Sequence, residues 1–349
     1  MATKESALAA ARATVGLTQE NLAFALDVSV STLSRWENGL TKPLPPKRPK
    51  LANLLNVSLS ELEVLLREFD ERAPGRLPER PVGVRVDYDS WEDDLDRTAI
   101  CLGRQEFDLA KLLLDRWVLQ FRVEAVDTLG LHLYGRSLRL LGDLRQDQGL
   151  LRGPLSARQS YLKAIQVYGE LGADRRVAQL ELQLAVLDEM DGRLVEAAEA
   201  YRRLAIDRRL AERDRARAQL WVGTALSKHG LNAEAVSYIR PAIQRFEQLE
   251  EPQDWSVAYQ KLALAHRGAA DLRSASGAIE VALNNRAGDA PMQRVRLDTA
   301  HAHILLSDVA TVDSGLALLD AAAATSARYG MMHQLLSIKG IRHAFEDQA

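Results

Sequence analysis

Residues 17–39 read LTQENLAFALDVSVSTLSRWENG, and this stretch decides the fold at the amino-terminal end of the chain. Leu22, Ala23, Leu26, Leu33 and Trp36 recur at helical spacing and predict two short helices sharing one apolar core. Thr18 and Ser29 stand where N-caps are needed, because a short hydroxyl side chain accepts from an orphan N–H of the first turn. Leu17 with Leu22, and Val28 with Leu33, bracket these caps as hydrophobic staples that fix the angle at which the chain enters each helix. A second helix held at a fixed angle by a tight turn can be pushed into the major groove of DNA.

The region from Ala7 to Phe69 resembles the lambda-repressor-like (Xre, or Cro/CI) family of DNA-binding domains. The resemblance lies in Thr18-Gln19, Leu22-Ala23 and the run Ser31 to Gly39. It implies an all-α, five-helix head over residues 1–69 and assigns roles by position. Gln19 matches the family's phosphate-contacting glutamine at a helix N-terminus, an end that favours anions. Val30, Ser31 and Arg35 match the outward positions of the recognition helix, with Thr32 and Ser34 nearby. Arg35 is the candidate for base readout, since its planar fork can donate twice to a guanine edge. Asn38 lies where the family backbone touches phosphate, and Lys42, Lys47, Arg48 and Lys50 add positive charge. Arg12 and Glu37 match a buried ion pair tying the first helix to the end of the third. The implied partner is double-stranded DNA, as an inverted-repeat operator read by a homodimer.

This sequence departs from the family pattern twice. Asp27 occupies the turn position usually held by glycine, where a positive φ is tolerable for Asp. Residues 42–50 read KPLPPKRPK. Pro49 is acceptable only near a helix start, which predicts a short fourth helix from about Lys50 to Asn56. Ser58 and Glu61, in capping-box spacing, open the fifth.

At 349 residues the chain exceeds one typical domain. Its net charge of −3 is unevenly placed: residues 1–57 hold seven Lys/Arg against four Asp/Glu, a balance of +3 that leaves −6 for the rest. A mildly basic head on an acidic body fits DNA contact through the head alone. The single cysteine, Cys101, sits in an apolar helical run and reads as a small core hydrophobe. No signal-peptide pattern and no membrane-length apolar run are present, so a cytoplasmic protein without membrane contact is expected.

Residues 70–86, DERAPGRLPERPVGVRV, interrupt all periodicity with proline and glycine and read as a linker. From residue 87 onward the pattern is helical and repetitive. A small residue is followed by a larger apolar one at +4 and usually an alanine at +7: Ala157-Tyr161-Ala164, Ala197-Tyr201-Leu204, Ala235-Ile239-Ala242, Ala275-Ile279-Ala282 and Gly315-Leu319-Ala322, with a weaker copy at Ala110-Leu114-Trp117. The spacing of 38–40 residues predicts an α-solenoid over 87–349. The unit resembles the tetratricopeptide repeat, with Gly223, Gly230, Ala235 and Ala242 at that motif's small positions. Six hairpins are expected, near 88–122, 124–171, 173–210, 212–249, 252–286 and 289–329, with a terminal helix from Met331 to Asp347 closing the stack.

Catalysis finds no support: there is no Gly-rich phosphate loop, no GxSxG and no metal-spaced Cys or His pair. No enzyme activity, cofactor or metal is expected. His301 and His303 lie two residues apart on a helix and point to different faces. In tetratricopeptide stacks the first helix of each hairpin lines the concave surface. That register directs Gln179, Gln183, Arg217, Lys228, Gln260 and Arg267 inward, where amides can hold a peptide backbone and cations a carboxylate. The pairing of such a head with such a body resembles the peptide-sensing regulators of bacteria of the Rgg, PlcR, PrgX and AimR types. It implies a transcription regulator whose DNA binding is controlled by a peptide or small ligand in the groove. The alternative is a DNA-anchored adaptor whose solenoid docks a protein partner such as a toxin, a sigma factor or another regulator.

Overall fold

The computed structural model describes residues 6–67, 86–119, 121, 126–285 and 290–347, and the described part is all-α, with no strand. Most of the expected linker, residues 70–85, lies outside the described residues.

Five helices form the head: α1 (Ala7–Thr14), α2 (Gln19–Leu26), α3 (Val30–Glu37), α4 (Arg48–Leu54) and α5 (Leu59–Arg67). Thr18 and Ser29 cap α2 and α3, their hydroxyls accepting from the N–H of Asn21 and of Thr32. Asp27 ends α2 in the left-handed region with φ 54°. Leu22, Leu26 and Leu33 are fully buried, together with Trp36, Leu51 and Leu62. The staple residues Leu17 and Val28 pack against this cluster. Each such burial stabilises by about 1.5–3 kcal/mol. Ser58 and Glu61 form the reciprocal capping box of α5. The fourth helix begins at Arg48 rather than Lys50, after a 3₁₀ turn at Pro45–Lys47. Pro49 thus falls in the first helical turn, where a missing N–H leaves no bond unmade.

The body contains six helical hairpins and a last helix: α6 (Tyr88–Arg104) with α7 (Phe107–Val118), α8 (Thr128–Asp147) with α9 (Ala157–Glu170), α10 (Asp174–Met190) with α11 (Leu194–Ala205), α12 (Glu212–Lys228) with α13 (Asn232–Gln248), α14 (Pro252–Gly268) with α15 (Leu272–Asn284), α16 (Pro291–Leu305) with α17 (Val312–Arg328), and α18 (Met332–Glu346). Every recurring triad lies on the second helix of its hairpin. Ala157, Tyr161, Ala164, Ala197, Tyr201, Ala235, Ile239, Ala242, Ala275 and Ala282 are fully buried. The first helices pack on one another from hairpin to hairpin, α12 on α14 and α14 on α16, whereas the second helices are splayed. The first helices therefore form the inner wall of a curved stack, and the second helices its outer wall.

The curvature brings the two ends of the body together. Helix α16 packs against α6. The turn before α18 reaches the start of α7, where Gly330 faces the Phe107 ring, and the backbone at Gly149 lies against His333. The stack thus curves into a ring whose last helices meet its first.

Glycine is required where the two helices of a hairpin approach most closely. A Cβ built on Gly223 would lie 2.5 Å from Cγ1 of Ile239 and 2.8 Å from the Ala235 carbonyl oxygen. The second contact is with backbone and cannot be relieved by a side-chain turn. At Gly169, also helical, an added methyl would meet nothing within 4 Å. Alanine is favoured over glycine in a helix by about 1 kcal/mol, so the two positions should respond with opposite sign. Gly169→Ala should hold or raise the urea midpoint, while Gly223→Ala should lower stability by about 1–3 kcal/mol despite the propensity gain. Equal behaviour of the two variants would refute the close approach.

Candidate functional site

The recognition helix α3 presents Val30, Ser31 and Arg35 to solvent, and Asn38 and Lys42 beyond it are also exposed. Thr32 and Ser34 are half-buried beside them. The Arg35 guanidinium makes no hydrogen bond or ion pair among the described residues. At the N-terminal end of α3 the hydroxyls of Ser29, Ser31 and Thr32 form a chain of contacts at 2.8–2.9 Å. Asn38 turns its amide back on the helix, donating to the Ser34 carbonyl at 2.8 Å. Of the basic run, Lys47 donates to the Leu26 carbonyl at 2.9 Å and so closes the end of α2. Arg48 bonds the Pro43 carbonyl at 3.1 Å. These two cations bond within the head, and Lys42 and Lys50 are exposed.

Glu37 is the hub behind this face. It is nearly fully buried, and its Oε1 accepts from Arg12 Nε at 2.6 Å. Its Oε2 accepts from the Gln19 amide at 2.6 Å, and Arg12 also donates to the Leu17 carbonyl at 2.7 Å. A carboxamide carries two N–H donors. Glu37 takes one, fixing Gln19 in place and leaving the second for an outside acceptor.

The head is docked on the ring by α1 and α5, away from the recognition face. Leu155, in the loop between α8 and α9, packs on Ala7, Ala11 and Leu65. Beside it, Glu61 Oε1 lies 2.7 Å from Lys111 Nζ and 3.6 Å from Arg145 Nη2, and Lys111 is 3.7 Å from Asp115. Burial opposes ionisation of Glu61, but Lys111 and the Ser58 cap overcome it and hold its carboxyl below the usual range. Burial pushes the Arg145 guanidinium the other way, lowering it against the pull of Glu61 and Asp115. Sequence reading placed Glu61 only in the capping box of α5 and missed this four-residue contact, because Lys111, Asp115 and Arg145 belong to no part of the repeat pattern.

The six residues directed inward by the repeat register do not form one ligand surface. Gln179 donates to Asp214 at 2.9 Å, and Arg217 lies 2.9 Å from Asp254. Gln260 donates to the Arg296 carbonyl at 2.6 Å, and Arg267 to the His303 carbonyl at 2.9 Å. Each bond joins the first helix of one hairpin to the first helix of the next. Lys228 pairs with Glu189 at 2.7 Å, and Gln183 is half-buried on α10. Since Lys228 of α12 likewise reaches back to Glu189 of α10, five of the six act as rivets along the inner wall. Asp214 and Asp254 stand about one repeat length from Gln179 and Arg217 as complementary side chains, whereas the bonds of Gln260 and Arg267 end on backbone carbonyls and leave no such signal.

Where the ends of the ring meet, an open cavity of about 350 Å³ is lined by Gln105, Arg139, Asp143, Asp147, Met292 and Gln293, among others. Asp143 accepts from the Tyr161 hydroxyl at 2.8 Å and from Arg139 at 2.9 Å. Asp147 has no such bonds among the described residues, and burial raises its carboxyl to about 6. Burial likewise lowers the His303 imidazole to about 4, with Arg267 adding to the shift. Among the described residues no three His, Cys, Asp or Glu side chains are grouped so as to hold a metal. No described helix is long and apolar enough to cross a membrane.

Residues 8–62 match the family model described as Helix-turn-helix. The head is a helix-turn-helix domain. No curated protein matches the chain significantly. Among solved structures, the chain is similar to the PlcR of Bacillus thuringiensis in complex with the peptide PapR7 and DNA, at 14% identity, over 80% of this chain and 94% of that one, with a TM-score of 0.37. It is also similar to a Rap protein complexed with competence and sporulation factor, at 14% identity over 72% and 80% with a TM-score of 0.43. A third is aspartyl phosphate phosphatase F from Bacillus subtilis, at 13% identity over 76% and 82% with a TM-score of 0.43.

Removing Glu37 strands Arg12 and Gln19 in the core of the helix-turn-helix head. Glu37→Ala should cost about 3–5 kcal/mol, enough to melt a small domain ahead of the ring. A thermal melt indistinguishable from wild type would rule out the hub. Asp147 predicts a separate pH effect on the ring. Its folded-state pKa is raised above the usual value of 3.8. Its stabilising contribution is therefore full below about pH 4 and lost as pH rises through about 6. Asp147→Asn removes the ionisation, so the Tm gain of the variant over wild type should be larger at pH 7.5 than at pH 5. A gain independent of pH would contradict the desolvated carboxylate.

Proposed function

We propose that the protein is a sequence-specific DNA-binding transcription regulator in which the ring senses a ligand in its interior and sets the posture of the docked head. The observation that carries this reading is the position of α8. One turn of that helix bears Arg145, which faces Glu61 of the head, and Asp147, which faces the interior at the seam of the ring. A ligand that alters the seam therefore acts on the same helical turn that holds the head. Binding changes DNA affinity only through a preference for one arrangement over another.

The DNA side of the proposal rests on the helix-turn-helix match and on the open face of α3. Arg35 is the base-reading residue, Val30, Ser31, Thr32 and Ser34 shape the contact, and Gln19, Asn38 and Lys42 hold phosphates. One head reads few base pairs, so two copies of the chain on an inverted repeat are the operating unit. The interior favours a peptide or small ligand over a docked protein, because polar groups line its curved wall rather than a broad apolar patch.

Arg35→Ala should cost about 1–3 kcal/mol on the operator and leave binding to random DNA nearly unchanged, as measured by fluorescence anisotropy at fixed salt. Gln19→Ala should weaken both alike. Equal losses on both DNAs for Arg35→Ala would sink the base-reading role.

A further inference from the structure

The open cavity at the seam is lined partly by polar and partly by apolar side chains. Asp143 and Asp147 stand one turn apart on α8, Gln105 closes α6, and Gln293 lies in the first turn of α16. Leu102, Leu140 and Met292, all buried, belong to the same lining. Gln105 is only 7% exposed. Its Nε2 donates to the Leu102 carbonyl at 2.7 Å, but its Oε1 accepts from no group. Among the described residues it is the one fully buried side-chain oxygen or nitrogen without a partner. The residue also holds φ 62° at the end of α6, a position that glycine ordinarily takes and where glycine would leave no orphaned oxygen.

The unsatisfied groups of this lining are acceptors. Asp147 has no donor among the described residues, whereas Asp143 is served by Tyr161 at 2.8 Å and Arg139 at 2.9 Å. Gln293 brings as many donors as acceptors. The lining holds two carboxylates against one guanidinium. The carboxyl ends of α6 and α8 add partial negative charge, and the amino end of α16 offsets only one of them. Arg296 acts on Asp147 from α16, but it is not part of the lining and its pull does not overcome burial. A buried acceptor left without a donor is costly, so the lining favours an occupant that donates N–H bonds and carries positive charge. Among the described residues no third His, Cys, Asp or Glu joins the two aspartates in a group that could hold a metal. An ammonium brings its own three donors. The volume of about 350 Å³ lies at the small end of the range for ligand pockets, about 300–1,000 Å³, so the occupant is a small molecule.

We infer that the seam cavity binds a small primary ammonium ion, its N–H groups shared between the Asp147 carboxylate and the Gln105 side-chain oxygen, and its carbon stem against Leu102, Leu140 and Met292. The use of this site for sensing rests on the function proposed above. Its existence rests on the lining alone. Ionised Asp147 is the form that binds, and its carboxyl titrates at about 6. Arg139 and Arg296 act there as guanidinium ions, which do not titrate near that pH. The Tyr161 hydroxyl is pushed well above its usual range, and burial holds His333, which lies against Gly149, toward its neutral form. Burial raises Asp143 as well, so its ionisation adds in the same direction.

Full-length protein is titrated by isothermal calorimetry, at fixed ionic strength, with butylammonium, butanol, butyrate and magnesium. Butylammonium should bind at millimolar concentration and the other three should not. The probe stays protonated from pH 5 to pH 7.5, so its affinity should rise about tenfold across that interval as Asp147 ionises. Asp147→Asn should abolish binding while the variant stays folded, its Tm at pH 7.5 lying above that of wild type. Gln105→Leu should weaken binding by about tenfold. Absence of butylammonium binding, equal binding of butanol or butyrate, binding of magnesium in its place, an affinity that is flat or falls with rising pH, or binding that survives in Asp147→Asn would each overturn the proposal. DNA recognition is tested separately by Arg35→Ala, so failure here leaves that reading standing.

Discussion

A helical hairpin whose two helices touch through glycine and alanine can bury only part of its apolar surface, and the rest of the body follows from that constraint. Gly142 faces the Tyr161 ring, and Gly223 faces Ile239 and the Ala235 carbonyl. These contacts bring the helices close enough for the larger member of each triad to fill the space between them. The outward remainder of that surface, such as Phe246 and Leu262, is covered only by the next hairpin. Stacking is thereby obligatory, and the small inner residues make each step a slight rotation. Five such steps bring α16 back against α6.

Ring closure changes what the inner wall can tolerate. Curvature crowds the polar groups of this wall together, and partial burial there makes a missing partner expensive. The wall answers with bonds spaced about one repeat apart, as in Gln179 to Asp214, Arg217 to Asp254 and Arg267 to His303. Tyrosine hydroxyls reach back to inner carboxylates in two hairpins, Tyr161 to Asp143 and Tyr201 to Glu189. The same triad position that fills the hairpin core thus also supplies a polar tether. Against this background, Asp147 stands apart, with no hydrogen bond or ion pair among the described residues.

The head was legible in the sequence almost residue by residue, because its fold is written in local signals. Thr18 and Ser29 cap, Leu17 and Val28 staple, and Asp27 turns, each within five residues of its partner. The displaced fourth helix, Arg48–Leu54 rather than about Lys50 to Asn56, came from weighing Pro49 without the 3₁₀ turn that Pro45 and Pro46 set up before it. In the body, the triads gave hairpin number and order, since a small-large-small pattern repeats wherever two helices cross. They could not reveal closure, which depends on the accumulated rotation of six units and on no single residue. The register placed Arg217 and Gln260 on inner helices but could not tell a rivet from a ligand contact. That distinction depends on what the next helix offers at the same height: Asp254 for the first and the Arg296 carbonyl for the second.

Communication between interior and head reduces to the end of one helix. The interface of Glu61, Lys111, Asp115 and Arg145 holds two acids and two bases, so its charge is balanced while the head is docked. Arg145 is anchored from below by Ser160, to which it donates at 2.8 Å, and so moves with the α8–α9 hairpin. Two residues on, Asp147 shares the seam with Met292 and Gln293 of the last hairpin. A shift of α8 by a fraction of an ångström would stretch the contact with Glu61, already 3.6 Å long at Arg145, before disturbing the shorter one to Lys111. Allosteric couplings typically amount to about 1–3 kcal/mol. A partly buried charge contact of this kind can supply that much, and the apolar seat of Leu155 on Ala7, Ala11 and Leu65 would keep the head attached while its angle changes.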